Sequence, residues 1–310
     1  MATKKTKTTA KKITKKPQVV PASTSPRRIK PIAKISGSFR LFGRSLKLLL
    51  KQWKLFGSIT LIYGVLTLIL VHGLTSGLDL KTLKLILEKA PGTSSSPLGN
   101  ATTLFNYVVS AAGRTTDKGA SVYQTFLIIL LSLVIIWALR QVLAAKKVSA
   151  KDAFYNGIYP LVPFVIVLVV IGIELIPLAI AAKLFSIIMS NRIAAAGWEK
   201  LSWDIVFSLL MFWSVYMISS SIFALYVVTL PDMKPFKALR SAKLLVKHRR
   251  FKVIRKVIFL PLALIVLGLV ITVPLILLLT SYATWAFFVL SLFILPIVHA
   301  YMYILYRELL

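Results

Sequence analysis

The 310-residue chain is 57% apolar and only 15% charged, and its 39 Lys and Arg against 9 Asp and Glu give a formal net charge of +30. A soluble chain of this length needs more charge on its surface. The absence of cysteine excludes disulfides, thiolate metal sites and thiol nucleophiles. Several continuous Leu/Ile/Val runs reach the ~20 residues that span a bilayer core, so the expected fold is an all-α polytopic membrane protein rather than the alternating strands of a membrane barrel.

In chain order, residues 1–34 contain Lys, Arg, Thr, Ala, Pro and Ser but no acid. Such a segment buries too little apolar surface to offset its ordering entropy, so a disordered basic tail is expected. Its basic stretch is longer than a secretory n-region, and no cleavable signal peptide is expected. The tail would bind polyanions of any kind. With membrane spans following it, anionic lipid headgroups are the favoured partner and nucleic acid the disfavoured one.

Residues 35–310 are expected to form one domain of six spans, near 55–74, 123–143, 159–182, 205–230, 257–279 and 282–305. These pair into three hairpin units, about 38–143, 149–230 and 234–306, each opened by a cytoplasmic amphipathic helix. In the third span Pro160 and Pro163 fall in the first turn, where a missing N–H costs little, whereas Pro177 lies inside and is expected to kink it. The insert 75–122 is expected on the far side. Within it Leu80, Leu83 and Leu87 recur at helical spacing, as in a helix lying along the interface.

Orientation follows from the basic residues. Of the 39 Lys and Arg, 31 fall in 1–54, 140–151, 231–256 and at position 307, and eight fall in 75–122 and 183–204. The bias places both termini in the cytoplasm, as an even number of spans also requires, in a multi-pass protein of the plasma membrane. Trp53, Trp137, Trp198, Trp203 and Trp213 fall mostly at expected span boundaries, as aromatic belts do.

The segments RSLKLLLK (44–51) and RSAKLLVK (240–247) are identical at six of eight positions at an offset of 196. On a helical wheel Lys237, Arg240, Lys243, Lys247 and Arg250 form one stripe, opposite Ala238, Leu239, Ala242, Leu245 and Val246. The upstream copy sets Arg44, Lys47, Lys51 and Lys54 against Phe42, Leu46, Leu49 and Leu50. Both copies are expected to lie in the headgroup plane, apolar face down, with those nine basic residues contacting lipid headgroups. Residues 148–160 occupy the equivalent place before the third span and read as a shortened middle copy. Duplication and convergence both account for the match, duplication being favoured.

The stretch 226–254 resembles the membrane domain of glycerophosphoryl diester phosphodiesterases and related uncharacterised bacterial six-helix integral membrane proteins. The resemblance rests on Leu230-Pro231, Ala238-Leu239-Arg240-Ser241 and the basic cluster His248-Arg249-Arg250. It implies the six-span architecture and carries no activity across, because catalysis in those enzymes belongs to a soluble barrel with paired acids, histidines and a metal that has no counterpart here.

Glu174 is the one acid inside an expected span, about one turn before Pro177. An ionisable group at that depth is costly and marks a functional or tightly bonded position. Ser208, Ser214 and Ser219 to Ser221 of the fourth span are its candidate hydroxyl partners. His72, His248 and His299 are scattered, and His72 and His299 read as polar interface residues rather than ligands. No Gly-rich phosphate loop, Ser-x-x-Lys dyad or carboxylate pair at catalytic spacing occurs, so no catalytic, cofactor or metal residue is assigned. Two functions are consistent with this reading. One is a non-enzymatic membrane module that binds anionic headgroups and organises lipids or partner proteins. The other is a transporter or permease subunit with Glu174 as a coupling group.

Overall fold

The computed structural model describes residues 36–71, 118–190, 197–278 and 280–310. The expected tail 1–34, most of the insert 75–122 and His72 lie outside them. The described residues are all-helical. In order the helices are α1 (Ser38–Lys51), α2 (Trp53–Leu70), α3 (Lys118–Leu143), α4 (Ala150–Gly157), α5 (Leu161–Ser190), α6 (Gly197–Ser221), α7 (Ala224–Val227), α8 (Pro235–Val246), α9 (Arg250–Leu278) and α10 (Thr280–Leu309).

Six of them (α2, α3, α5, α6, α9 and α10) carry segments long and apolar enough to cross a membrane. They pair as three hairpins: α2 with α3, α5 with α6, and α9 with α10. The centre is set by α10 and α3, whose spanning windows are 56% and 50% buried, against 17% for α9. Leu133, Ile135, Ile136 and Leu139 of α3 and Tyr301, Met302 and Leu305 of α10 make this core. The apolar surface left on α5, α6 and α9 suits hydrocarbon, which offers no penalty to exposed Leu, Ile and Val.

The three short helices dock in a cyclic order. The first, α1, packs chiefly on α10, a member of the last hairpin; α4 packs on α3 and α2, the first hairpin; α8 packs on α5, α6 and α7, the second. Each therefore rests on the hairpin that precedes its own, and α1 closes the cycle by resting on the third. Three units arranged around one centre is the simplest description of that pattern.

Local chemistry sets the boundaries. A capping box starts α4: the Ser149 hydroxyl accepts from the Lys151 N–H, and Asp152 accepts from the Ser149 N–H at 3.1 Å. Pro235 occupies the first turn of α8, where no N–H is missed. The fourth span differs from expectation. Instead of one helix to residue 230, α6 stops at Ser221 and a turn precedes α7. The hydroxyls of Ser219 and Ser220 bond back to the carbonyls of Tyr216 and Met217 at 2.7 and 2.9 Å. Such back-bonding competes with the helix ladder and bends or ends it. The fifth span begins earlier than expected, since α9 already includes Lys252, Arg255 and Lys256. Pro177 sits within α5, which runs unbroken from Leu161 to Ser190.

Gly157 closes α4 against α3. A Cβ at this position would lie 2.9 Å from the Val134 Cα, backbone that cannot step aside. Gly157→Ala is therefore expected to cost about 1–2 kcal/mol through overpacking, read as a lower unfolding midpoint of the full-length protein in micelles. An unchanged midpoint would show that α4 can lift without loss.

Candidate functional site

Two groups of residues can carry function: the basic row on the docked short helices and a polar pair inside the second hairpin.

On α8 the expected apolar stripe is buried. Ala238, Ala242 and Val246 are 0% exposed, and Leu239 is buried beside them. That face meets α5, α6 and α7, so the protein itself covers it, and the expectation that it lies down onto acyl chains is corrected. The opposite face keeps Lys237, Arg240, Lys243 and Lys247 exposed. Phe236 and Leu244 are exposed among them, 74% and 65%. Cations interleaved with exposed apolar side chains are the composition that suits a headgroup boundary.

On α1 the inner face also differs from expectation. Leu41 and Ser45 are fully buried against the third hairpin, with Leu48 half-buried, whereas Leu50 is 72% exposed. Ser45 fits there because it is small and its hydroxyl bonds its own helix at the Phe42 carbonyl, 2.7 Å away. The helix thus has three sectors: a docked face; an exposed apolar edge at Phe39 and Leu50; and a basic edge at Arg40, Lys47 and Lys51. Phe39 lies edge-on to Phe259 of α9, with ring centres 4.8 Å apart. The aligned positions Leu50 and Val246 have opposite burial, so the two copies of the repeated sequence dock through different faces.

Of the nine basic residues expected at headgroups, Lys47, Lys51, Lys54, Lys237, Arg240, Lys243 and Lys247 are exposed. The other two are engaged within the protein. Arg44, still half-exposed, pairs with Glu308 at 3.0 Å. Arg250, half-buried, stacks its guanidinium 4.5 Å from the centre of the Tyr216 ring.

Sequence reasoning missed the knot around Glu308. Its carboxylate accepts from the Arg44 guanidinium and, at 2.9 Å, from the Ser36 N–H. The Ser36 carbonyl in turn accepts from the ammonium of Lys256, which is 3% exposed. Tyr301 donates to the Lys256 carbonyl at 3.2 Å. The only sequence signal was an acid two residues from the end of a basic-flanked helix, and nothing in its spacing named a partner.

Inside the second hairpin Glu174 is buried, as expected for a bonded intramembrane acid. Its Oε1 accepts from the Ser221 hydroxyl at 2.7 Å, and its backbone carbonyl accepts from the Ser214 hydroxyl at 2.8 Å. Both partners belong to the serine set singled out in α6. Oε2 is buried and has no hydrogen-bond partner among the described residues. A second buried polar pair joins Tyr226 Oη and His299 Nδ1, 3.1 Å apart, with Nε2 of His299 unpartnered. Closer to the basic end, Arg140 donates from Nη1 to the Thr229 carbonyl at 2.7 Å and from Nη2 to the Thr229 hydroxyl.

Among the described residues no group of three His, Asp or Glu stands close enough to hold a metal. No protein-family model matches the chain, and no curated protein or solved structure matches it either.

Proposed function

We propose that the chain is a non-enzymatic multi-pass module of the plasma membrane, with both termini in the cytoplasm, that gathers anionic lipid headgroups and through them organises lipids or partner proteins. The observation that carries this reading is the docking of α8. Its buried apolar face fixes Lys237, Arg240, Lys243 and Lys247 outward beside Phe236 and Leu244. A rigid row loses less entropy on meeting headgroups than a flexible polybasic loop would. The cytoplasmic assignment rests on the Lys/Arg asymmetry between the two ends.

The test uses full-length protein in nanodiscs with a graded fraction of anionic phospholipid, measuring lipid enrichment around the protein. At about 1 kcal/mol per basic residue, the Lys243→Gln/Lys247→Gln double variant is expected to lose roughly one to two orders of magnitude of anionic preference. The loss should shrink at high salt. Enrichment that ignores either the substitutions or the anionic fraction would end this reading.

A second reading, a transporter or permease subunit coupled through Glu174, is favoured by one observation: the buried, unpartnered Oε2 halfway along the α5 span. A solute flux into liposomes that Glu174→Gln abolishes would promote it over the first.

A further inference from the structure

The three seams between hairpins are unequal. The first hairpin meets the third broadly through α10, but α3 and α5 touch only sparsely where the first meets the second. At the basic end of that seam lies a cleft of about 1150 Å³, bounded by α3, the α4–α5 turn and the α7–α8 turn. This is at the upper limit of small-molecule sites, roughly 300–1,000 Å³.

Its lining is divided. Trp137, Pro163, Leu230 and Met233, all partly exposed, give an apolar floor, and Arg140, Asn156, Asp232 and Lys234 give a polar rim. The ionisable lining groups are two cations, one carboxylate and two tyrosines. Arg140 is half-buried and held in place by Thr229, so its guanidinium is fixed at the rim rather than free to collapse into the space. Tyr155 and Tyr159, also lining the cleft, are 86% and 94% exposed. Amphipathic aromatics exposed in this way sit at the level of lipid headgroups.

We propose that this cleft binds one glycerophospholipid molecule per chain, its phosphate at Arg140 and Lys234 and the start of its acyl chains on the apolar floor. A soluble anion would leave the floor wet, and a bare hydrocarbon would leave the rim, with two cations to one carboxylate, short of a counter-charge; a phospholipid satisfies both halves. The proposal deepens the headgroup-binding reading, from a charged surface to a discrete stoichiometric site, and rests on the same membrane placement.

The two can fail separately. Full-length protein released from nanodiscs of mixed zwitterionic and anionic phospholipid is examined by native mass spectrometry for retained lipid. Leu230→Trp crowds the apolar floor of the cleft without changing charge, Lys234→Gln removes one rim cation, and Lys243→Gln/Lys247→Gln alters only the α8 row. Wild type and the α8-row variant are expected to keep one lipid per chain. Lys234→Gln should retain about fivefold less, as loss of one headgroup cation implies, and Leu230→Trp should retain none, with unfolding midpoints of all variants unchanged. Wild type without retained lipid, or retention in Leu230→Trp equal to wild type, overturns the site. Loss confined to the α8-row variant overturns it as well, while leaving the surface reading standing.

Discussion

Replacing Glu308 by glutamine is expected to destabilise the folded chain by about 1–3 kcal/mol, the range for losing charged hydrogen-bond partners. Its carboxylate ties three segments together. It accepts from Ser36 just before α1 and from Arg44 within α1, and it attracts Lys256 on α9. These contributions are unequal. Arg44 is 53% exposed at its side chain, so its ion pair is worth less than about 1 kcal/mol. An amide retains an acceptor for one of the two N–H donors. The loss therefore concentrates on Lys256, whose ammonium would stay buried, on the Ser36 carbonyl among the described residues, with its nearby counter-charge removed. Removing that cation as well, in Glu308→Gln/Lys256→Met, should recover part of the loss, because no buried ammonium is then left without its counter-charge. The measurement is a denaturant unfolding series of the full-length protein in micelles, analysed as a double-mutant cycle. Proteolytic cleavage near Gln52, between α1 and α2, should become faster in the single variant as α1 loses its hold on α10. Additive single and double effects, each under about 0.5 kcal/mol, would show that the knot is decorative.

The distance between what the sequence implied and what the chain forms can be traced to particular residues. Six spans were legible because length and hydropathy are one-dimensional properties, and α2, α3, α5 and α10 fall where the apolar runs do. Ends were less legible. Three adjacent serines look harmless in an apolar run, yet once their hydroxyls turn to carbonyls one turn back, and to Glu174, the helix stops. Lys252, Arg255 and Lys256 lie before the expected start of the fifth span at 257, but helix α9 accommodates them. On α8 the apolar stripe was read correctly and its covering was not, because hydropathy distinguishes apolar from polar without distinguishing protein from lipid. On α1 even the face was misread: Ser45 is chosen for size, and the helical wheel ranks it with polar residues. The cyclic docking of α1, α4 and α8 is a tertiary property with no local signature. Glu174 was legible for the opposite reason, since a lone acid among apolar neighbours must find a donor and α6, its hairpin partner, carries several hydroxyls.

That pair supports the second large effect. Glu174→Ala is expected to cost about 3 kcal/mol, combining the cavity left by a methylene and the carboxyl with the loss of an acceptor for Ser221. The α5–α6 hairpin depends on it more than its area suggests. The two helices face each other through apolar side chains that lipid would cover equally well, so hydrogen bonds such as Ser214 to the Glu174 carbonyl and Ser221 to Oε1 fix the register. Glu174→Gln should remain within about 1 kcal/mol of wild type, because the amide oxygen replaces Oε1 as acceptor and only the already unpartnered position changes. Ser221→Ala isolates the bond itself, and in a cycle with Glu174→Ala, which removes the acceptor, its coupling is expected near 0.6 kcal/mol and below about 2, the span found for hydrogen bonds between helices in membranes. The unfolding free energy of the full-length chain in bicelles decides the matter. If Glu174→Ala costs less than about 1 kcal/mol, the carboxyl does not hold the hairpin. A burial cost borne without structural return would then shift weight to the coupling role, because a buried acid that stabilises nothing persists only where its proton or charge is used.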